Sequence, residues 1–265
     1  MINLKLQILP VDLLTSYTSH FHTSLKQAFD QLHDSGVSSD SFSFYTSVSA
    51  VYSSKIEGED IELDSYIKHK RFGVEYQPNY TSKIDDLYEA YRFAQENKLH
   101  APTLMQAHTY LTRHLLASSK QGVFRTSIMY VMTKDGRIEY VASAPDLVLP
   151  DMMKWHADLD TLLTTKLSFE EVFFFASMLH LVLIKIHPFE DGNGRTARLI
   201  EKWFLAQKLG EKAWYLPSER YYYEHHQTYY EHIRRLGLEY DDLRYEETLP
   251  FLLMLPGAIT PADRL

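Results

Sequence analysis

The stretch Val172 to Ile186 constrains the chain most. It is apolar throughout except for Ser177, His180 and Lys185, and it is too short to span a bilayer. It reads as a helix buried in a protein core. Ser168 and Glu171 form a capping box in front of it, and His187-Pro188 stops it. A second helix is expected from about Gly194 to Gly210, carrying Leu199, Trp203, Phe204 and Leu209. Helical spacing recurs in Ile84, Leu87, Tyr88 and Tyr91, and again in Leu104, His108, Leu111 and Leu115, so the chain reads as mainly α.

One segment departs from that period. Ser127–Thr133 and Ile138–Ala142 are β-prone runs separated by Lys134-Asp135-Gly136-Arg137, which signals a hairpin. Ala144-Pro145 and Leu149-Pro150 read as a punctuated loop before a helix near Met152–Leu163. Asn79–Ser82 reads either as a linker behind an N-terminal helical region, residues 1–80, or as a surface loop of one domain. A core would follow over residues 81–236 and a helical extension over 237–265, all within one compact unit.

With 35 acidic and 27 basic residues the formal net charge is −8. That charge disfavours a nucleic-acid backbone as partner. The chain has no cysteine, which excludes disulfides and thiolate metal sites and suits a reducing compartment. Met1–Pro10 lacks a cationic flank, apolar core and cleavage site. The expectation is a cytoplasmic protein without a membrane partner.

The segment from His187 to Arg198, His-Pro-Phe-Glu-Asp-Gly-Asn-Gly-Arg-Thr-Ala-Arg, lies between the two expected helices and has the makings of an anion site. Gly192 and Gly194 let successive backbone N–H groups turn toward one point. The helix that begins there adds its positive end. Arg195 and Arg198 share a face, where two guanidinium groups can hold phosphate oxygens. Asp191 offers one carboxylate, the usual protein contribution to Mg²⁺ held largely by phosphates and water. His187, at the mouth, is the candidate base. Any of these residues alone has an ordinary structural explanation, but their coincidence in one short segment does not.

This segment resembles the signature of the Fic family, His-x-Phe-x-(Asp or Glu)-Gly-Asn-Gly-Arg-x-x-Arg, at every specified position. Gly122-Val123-Phe124-Arg125 is similar to the Gly-x-x-Arg before that family's flap hairpin, and Tyr229-Tyr230 resembles a tyrosine pair near its nucleotide base. The resemblance implies a helical bundle with a small β-hairpin flap and a protein adenylyltransferase that moves AMP from Mg²⁺-ATP onto a Ser, Thr or Tyr hydroxyl. His187 would be the base, Asp191 the metal ligand and Phe189 the anchor of the loop. Gly192, Asn193 and Gly194 would form the anion hole, Arg195 would hold the inner phosphates, and Arg198 the γ-phosphate. Glu190, Thr196, Tyr229 and Tyr230 complete the expected nucleotide-binding set, and the target protein would dock on the flap near residues 127–142.

Ser53-x-x-x-Glu57-Gly58 reads by itself as an ordinary helix end with a glycine cap. The resemblance gives it a second meaning, because autoinhibited Fic proteins carry (Ser or Thr)-x-x-x-Glu-(Gly or Asn) on an inhibitory helix. Glu57 would then pair with Arg198 and spoil the γ-phosphate site. Competing readings are removal of AMP, transfer of another phosphate-containing group, and a non-catalytic ATP-sensing peptide-binding module. His225-His226, Tyr221–Tyr223 and His180 read as packing rather than metal ligands. The apolar Leu249–Leu255 would pack on the core or on a second copy of the chain.

Overall fold

The apolar stretch forms a helix buried on every side, and the rest of the molecule is arranged around it. A computed structural model describes residues 4–21, 24–34, 36, 43–132 and 136–259. In chain order the helices are α1 (Leu14–Thr18), α2 (Ser24–Asp30), α3 (Phe44–Ile56), α4 (Leu63–Phe72), α5 (Pro78–Glu96) and α6 (Ala101–Leu111). After a hairpin come α7 (Pro145–Thr164), α8 (Phe169–Ile186), α9 (Asn193–Leu209), α10 (Ser218–Glu224), α11 (His226–Arg234), α12 (Leu249–Leu252) and α13 (Met254–Gly257). α8 is enclosed by α9, α7, α1, α12 and α13. No helix among the described residues is long and apolar enough to cross a membrane.

The capping box is formed as expected: the Glu171 N–H donates to Ser168 Oγ at 3.2 Å, and Glu171 Oε2 accepts the Ser168 N–H at 2.7 Å. α9 likewise matches its expected limits, ending before Gly210. Two proline signals are used differently from the expected loop. Pro145 occupies the first turn of α7, where its missing N–H has no helical partner to lose. Pro150 lies inside the same helix and forgoes one intrahelical hydrogen bond. Asn79–Ser82 is no linker or loop, since Pro78 opens α5 and these residues form its first turn. The tail from Leu249 packs through Phe251, Leu252 and Leu255 against this chain's own α8 and α10.

The hairpin pairs β1 (Tyr130–Met132) with β2 (Ile138–Val141) in antiparallel register, Tyr130 opposite Val141 and Val131 opposite Tyr140. Its turn residues Thr133, Lys134 and Asp135 lie outside the described residues. A bridge joins Val141 to Glu239, and the Val141 N–H donates to Leu238 O at 2.8 Å. The outer edge of β2 is therefore occupied at Val141.

α3 is fixed to α9 by a buried polar knot. Lys202 of α9 pairs with Glu219 of α10 and donates to Ser49 Oγ of α3 at 2.6 Å; Glu219 also accepts from Tyr91 of α5 at 2.7 Å. Both charged side chains are shielded from solvent, so removing either one strands the other. Glu219→Leu is expected to lower stability by about 3–5 kcal/mol in urea unfolding. Lys202→Met combined with Glu219→Leu should recover a large part of that loss.

Candidate active site

The loop between α8 and α9 is built by a sharp turn at each end. His187 caps α8 in the left-handed region, φ 54°, and its N–H still reaches Leu183 O at 2.9 Å. That backbone is unusual for a residue with a side chain. Arg125 supports it from the irregular segment leading to the hairpin: Nε donates to His187 O at 2.7 Å, Nη2 to Ser143 O at 2.6 Å and to Ile186 O at 3.2 Å, and Nη1 to Ser127 O at 2.6 Å. The Arg125 N–H adds a bond to Pro188 O at 2.8 Å. Phe189 is fully buried and stacks on His108 with ring centroids 3.7 Å apart. Asn193 closes the loop: its side chain accepts the Phe189 N–H and donates to Phe189 O, both at 2.9 Å.

Gly192 caps α9, so the amides of Asn193, Gly194 and Arg195 form the first turn, where backbone donors lack intrahelical partners. Gly194 is required by close approach: a Cβ there would lie 2.5 Å from Glu57 Oε1 and 3.2 Å from Arg198 Nη1. The absent side chain is the space in which those two residues meet.

Arg198 is 1% exposed. Its Nη2 donates to Glu57 Oε1 at 2.6 Å and to Ser53 O at 3.0 Å, its Nε donates to Ser53 Oγ at 2.8 Å, and Nη1 reaches the Tyr229 hydroxyl at 3.5 Å. Burial opposes the charge on both partners, yet their mutual attraction prevails: the Arg198 pKa is raised and the Glu57 carboxyl is held below its ordinary value. Ser53, Glu57 and Arg198 thus come together. Gly58 stands beside them at φ 99° and turns the chain after α3.

His187 is half-buried in the wall of a pocket that also contains Glu57, Gly194, Arg198, Tyr140, Lys185, Tyr229 and Tyr230. Burial pushes its imidazole down to about 4, so it is neutral at pH 7. Nδ1 lies 3.2 Å from Ile184 O; with the proton there, Nε2 is left as an acceptor. Asp191 is 53% exposed on its side chain, and its Oδ1 accepts the N–H of Gly192 at 2.6 Å. Among the described residues no group of three or more His, Cys, Asp or Glu side chains could hold a metal alone. A single accessible carboxylate beside an anion site fits Mg²⁺ only in the form bound mainly by phosphate and water.

Other expected residues sit differently. Glu190 pairs with Lys120 at 2.6 Å, and the Thr196 hydroxyl is buried without a hydrogen-bond partner. Arg195 is taken by Glu59, whose two oxygens lie 2.9 Å from Nη2. Tyr229 is buried in a chain of polar groups through His180 Nε2 at 3.0 Å to Glu201. Tyr230 is the more accessible of the pair. Lys185, pushed down to about 8 by burial, lies over the Tyr140 ring at 4.1 Å in the same pocket.

His108 is a site residue that the sequence reading assigned only to a core face. Its Nδ1 accepts the Gly122 N–H at 2.8 Å and its Nε2 faces Asp191 O at 3.0 Å. One neutral tautomer satisfies both contacts, and burial pushes the group down to about 4. From pH 6.5 to 4 the unfolded chain therefore takes up a proton that the folded chain refuses. This contribution to stability is complete above pH 6.5 and is lost as pH falls toward 4. Urea unfolding across that range, without divalent metal, should show stability falling with acidification. The slope should be shallower in His108→Gln, which cannot titrate.

Comparisons with known proteins agree with this fold. Residues 98–205 match the Fic/DOC family. A Fic family protein from Desulfovibrio desulfuricans G20 superposes with a TM-score of 0.72 at 18% identity, covering 97% of this chain and 74% of that one. A Fic domain containing signaling protein from Bacteroides thetaiotaomicron gives 0.63 at 16% identity over 93% and 91%. Fic-1 from C. elegans gives 0.66 at 18% over 92% and 67%. A uridine 5'-monophosphate transferase from Xanthomonas campestris is 58% identical over 31 residues, which span 12% of this chain and 6% of that protein. With the loop, the hairpin and the helical frame in their places, the chain carries a segment over residues 98–205 that matches the Fic/DOC family, within a fold shared with solved Fic proteins.

Proposed function

We propose that this protein transfers AMP from ATP to a Ser, Thr or Tyr hydroxyl of a target protein, and that Glu57 holds the activity in check. The observation that carries the reading is the neutral His187 at the rim of a helix-terminus anion site whose second arginine is already bonded to Glu57. The match of residues 98–205 to the Fic/DOC family supports nucleotidyl transfer in general, and the residues of the pocket suit the particular steps.

His187 Nε2 would take the proton of the acceptor hydroxyl as its oxygen forms a bond to the α-phosphorus. The bond from that phosphorus to the bridging oxygen breaks, and pyrophosphate leaves. The first-turn amides of α9 and Arg195 would stabilise the charge on the phosphates. Asp191 would hold Mg²⁺, which supplies charge neutralisation when bound. Arg198 would meet the γ-phosphate once Glu57 leaves it. The free edge of β1 suits strand pairing with an extended target segment, because β2 is already bonded on its far side. Ile128, Tyr130, Met132 and Ile138 are exposed around it. The absence of cysteine suits action in the cytoplasm.

The similarity to a uridine 5'-monophosphate transferase over 31 residues motivates a second reading, in which UMP is the group moved. The two are separated by supplying labelled ATP and labelled UTP in parallel. Glu57→Gly is expected to raise labelling of self or of lysate proteins at least about tenfold, equivalent to about 1.4 kcal/mol of barrier. His187→Ala in that background should abolish it. Equal labelling by wild type and Glu57→Gly would remove the brake, and label from UTP alone would replace the donor. Since the base form of His187 predominates above about pH 4, the single-turnover rate of transfer should stay level from pH 7 to about pH 5 rather than fall at the ordinary histidine value.

A further inference from the structure

The turn that ends α3 presents two carboxylates to α9, only one of which the brake requires. Glu57 is the last residue of the turn and Gly58 follows in a left-handed conformation, φ 99°. The Gly58 N–H donates to Lys55 O and the Glu59 N–H to Ser54 O, both at 3.1 Å. This is a Schellman closure, and it fixes the direction of the residues on either side of the glycine. Glu57 meets Arg198, and Glu59 meets Arg195 one turn earlier on α9.

The two pairs differ in chemistry. The Glu57 side chain is 28% exposed and takes one oxygen to Arg198, whereas that of Glu59 is 6% exposed and brings both oxygens to Arg195 Nη2 at 2.9 Å. Lys83 of α5 lies 3.3 Å from the same Glu59 carboxylate. Glu59 therefore sits between two cations, and this trio keeps a net positive charge. Arg195 Nε is buried without a partner, while Nη1 lies 3.8 Å from Asp191 at the loop. Nη2 is anchored, and Nη1 is the nitrogen left on the loop side for a ligand.

We propose that Glu59 is a positioning residue for polyphosphate: it fixes Arg195 beside the loop so that the guanidinium meets the phosphates without reorganising. The carboxylates at 57 and 59 then act in opposite senses, the first obstructing the site and the second assembling it. This rests on the polyphosphate reading of the loop but not on the identity of the base or of the acceptor.

The test uses the full chain carrying Glu57→Gly, with and without Glu59→Gln or Glu59→Asp. Calorimetry with magnesium tripolyphosphate and with adenosine is paired with KM and kcat for labelled ATP. Glu59→Gln is expected to weaken tripolyphosphate binding and raise the KM for ATP, each by about tenfold or more, while leaving adenosine affinity unchanged. Glu59→Asp, which keeps the charge on a shorter arm, should lie between Gln and the parent. If Glu59→Gln does not fold, weaker tripolyphosphate binding by Glu59→Asp than by the parent carries the same decision. Binding by either variant equal to or tighter than the parent's overturns the proposal, as does a parallel loss of adenosine. Tripolyphosphate results as expected without transfer of any nucleotide would leave Glu59 in place and remove AMP transfer. Transfer with an unchanged KM would do the reverse.

Discussion

A guanidinium at 1% exposure needs acceptors to replace the water it has lost, and Arg198 carries that demand to the start of α9, where the helix end is already positive and an anion answers it best. Much of the surrounding arrangement follows from answering it. α3 supplies Ser53 through both hydroxyl and carbonyl, its end supplies Glu57, and α11 turns the Tyr229 hydroxyl inward. Position 194 must lack a side chain for the carboxylate to arrive. The buried Lys202–Glu219 knot keeps α3 at the required distance from α9. A polyphosphate entering this site would meet an electrostatic arrangement already balanced by the protein's own carboxylate.

The parts legible in the sequence are those whose causes are local. Ser168 with Glu171, and His187 with Pro188, mark the limits of α8 because capping and stopping depend on residues only a few positions apart. The loop could be read because its glycines, arginines and acid are contiguous. Pro145 and Pro150 misled because proline is tolerated in a first turn and, once packing favours the helix, even beyond it. Glu59 carries no local signal and His108 only that of a core face, since the site contacts of each lie with a partner distant in the chain, Arg195 in one case and Gly122 with Asp191 in the other. In hindsight Gly58 was the local sign that the chain turns back and brings Glu59 inward.

The flap is joined mechanically to the chemistry. Arg125 bonds to carbonyls on both sides of the hairpin and at the end of α8, and the Tyr140 hydroxyl donates to Lys185 O at 2.8 Å. A shift of the hairpin base would therefore move the backbone around His187. Under the proposed function, recognition at the outer strand and proton transfer at the imidazole would share one rigid support, and a target segment seated on the strand would be registered against the base without an intervening mobile element.

The conformation of His187 has an evolutionary consequence. Its φ of 54° is one that glycine adopts freely and histidine does not. Drift under selection for robustness alone would favour the smallest residue at this position, relaxing the turn while erasing the imidazole. Under the proposed reaction, a histidine kept there would mark continued use, and descendants that abandoned the reaction would have an easy downhill route to becoming sturdier, inert scaffolds.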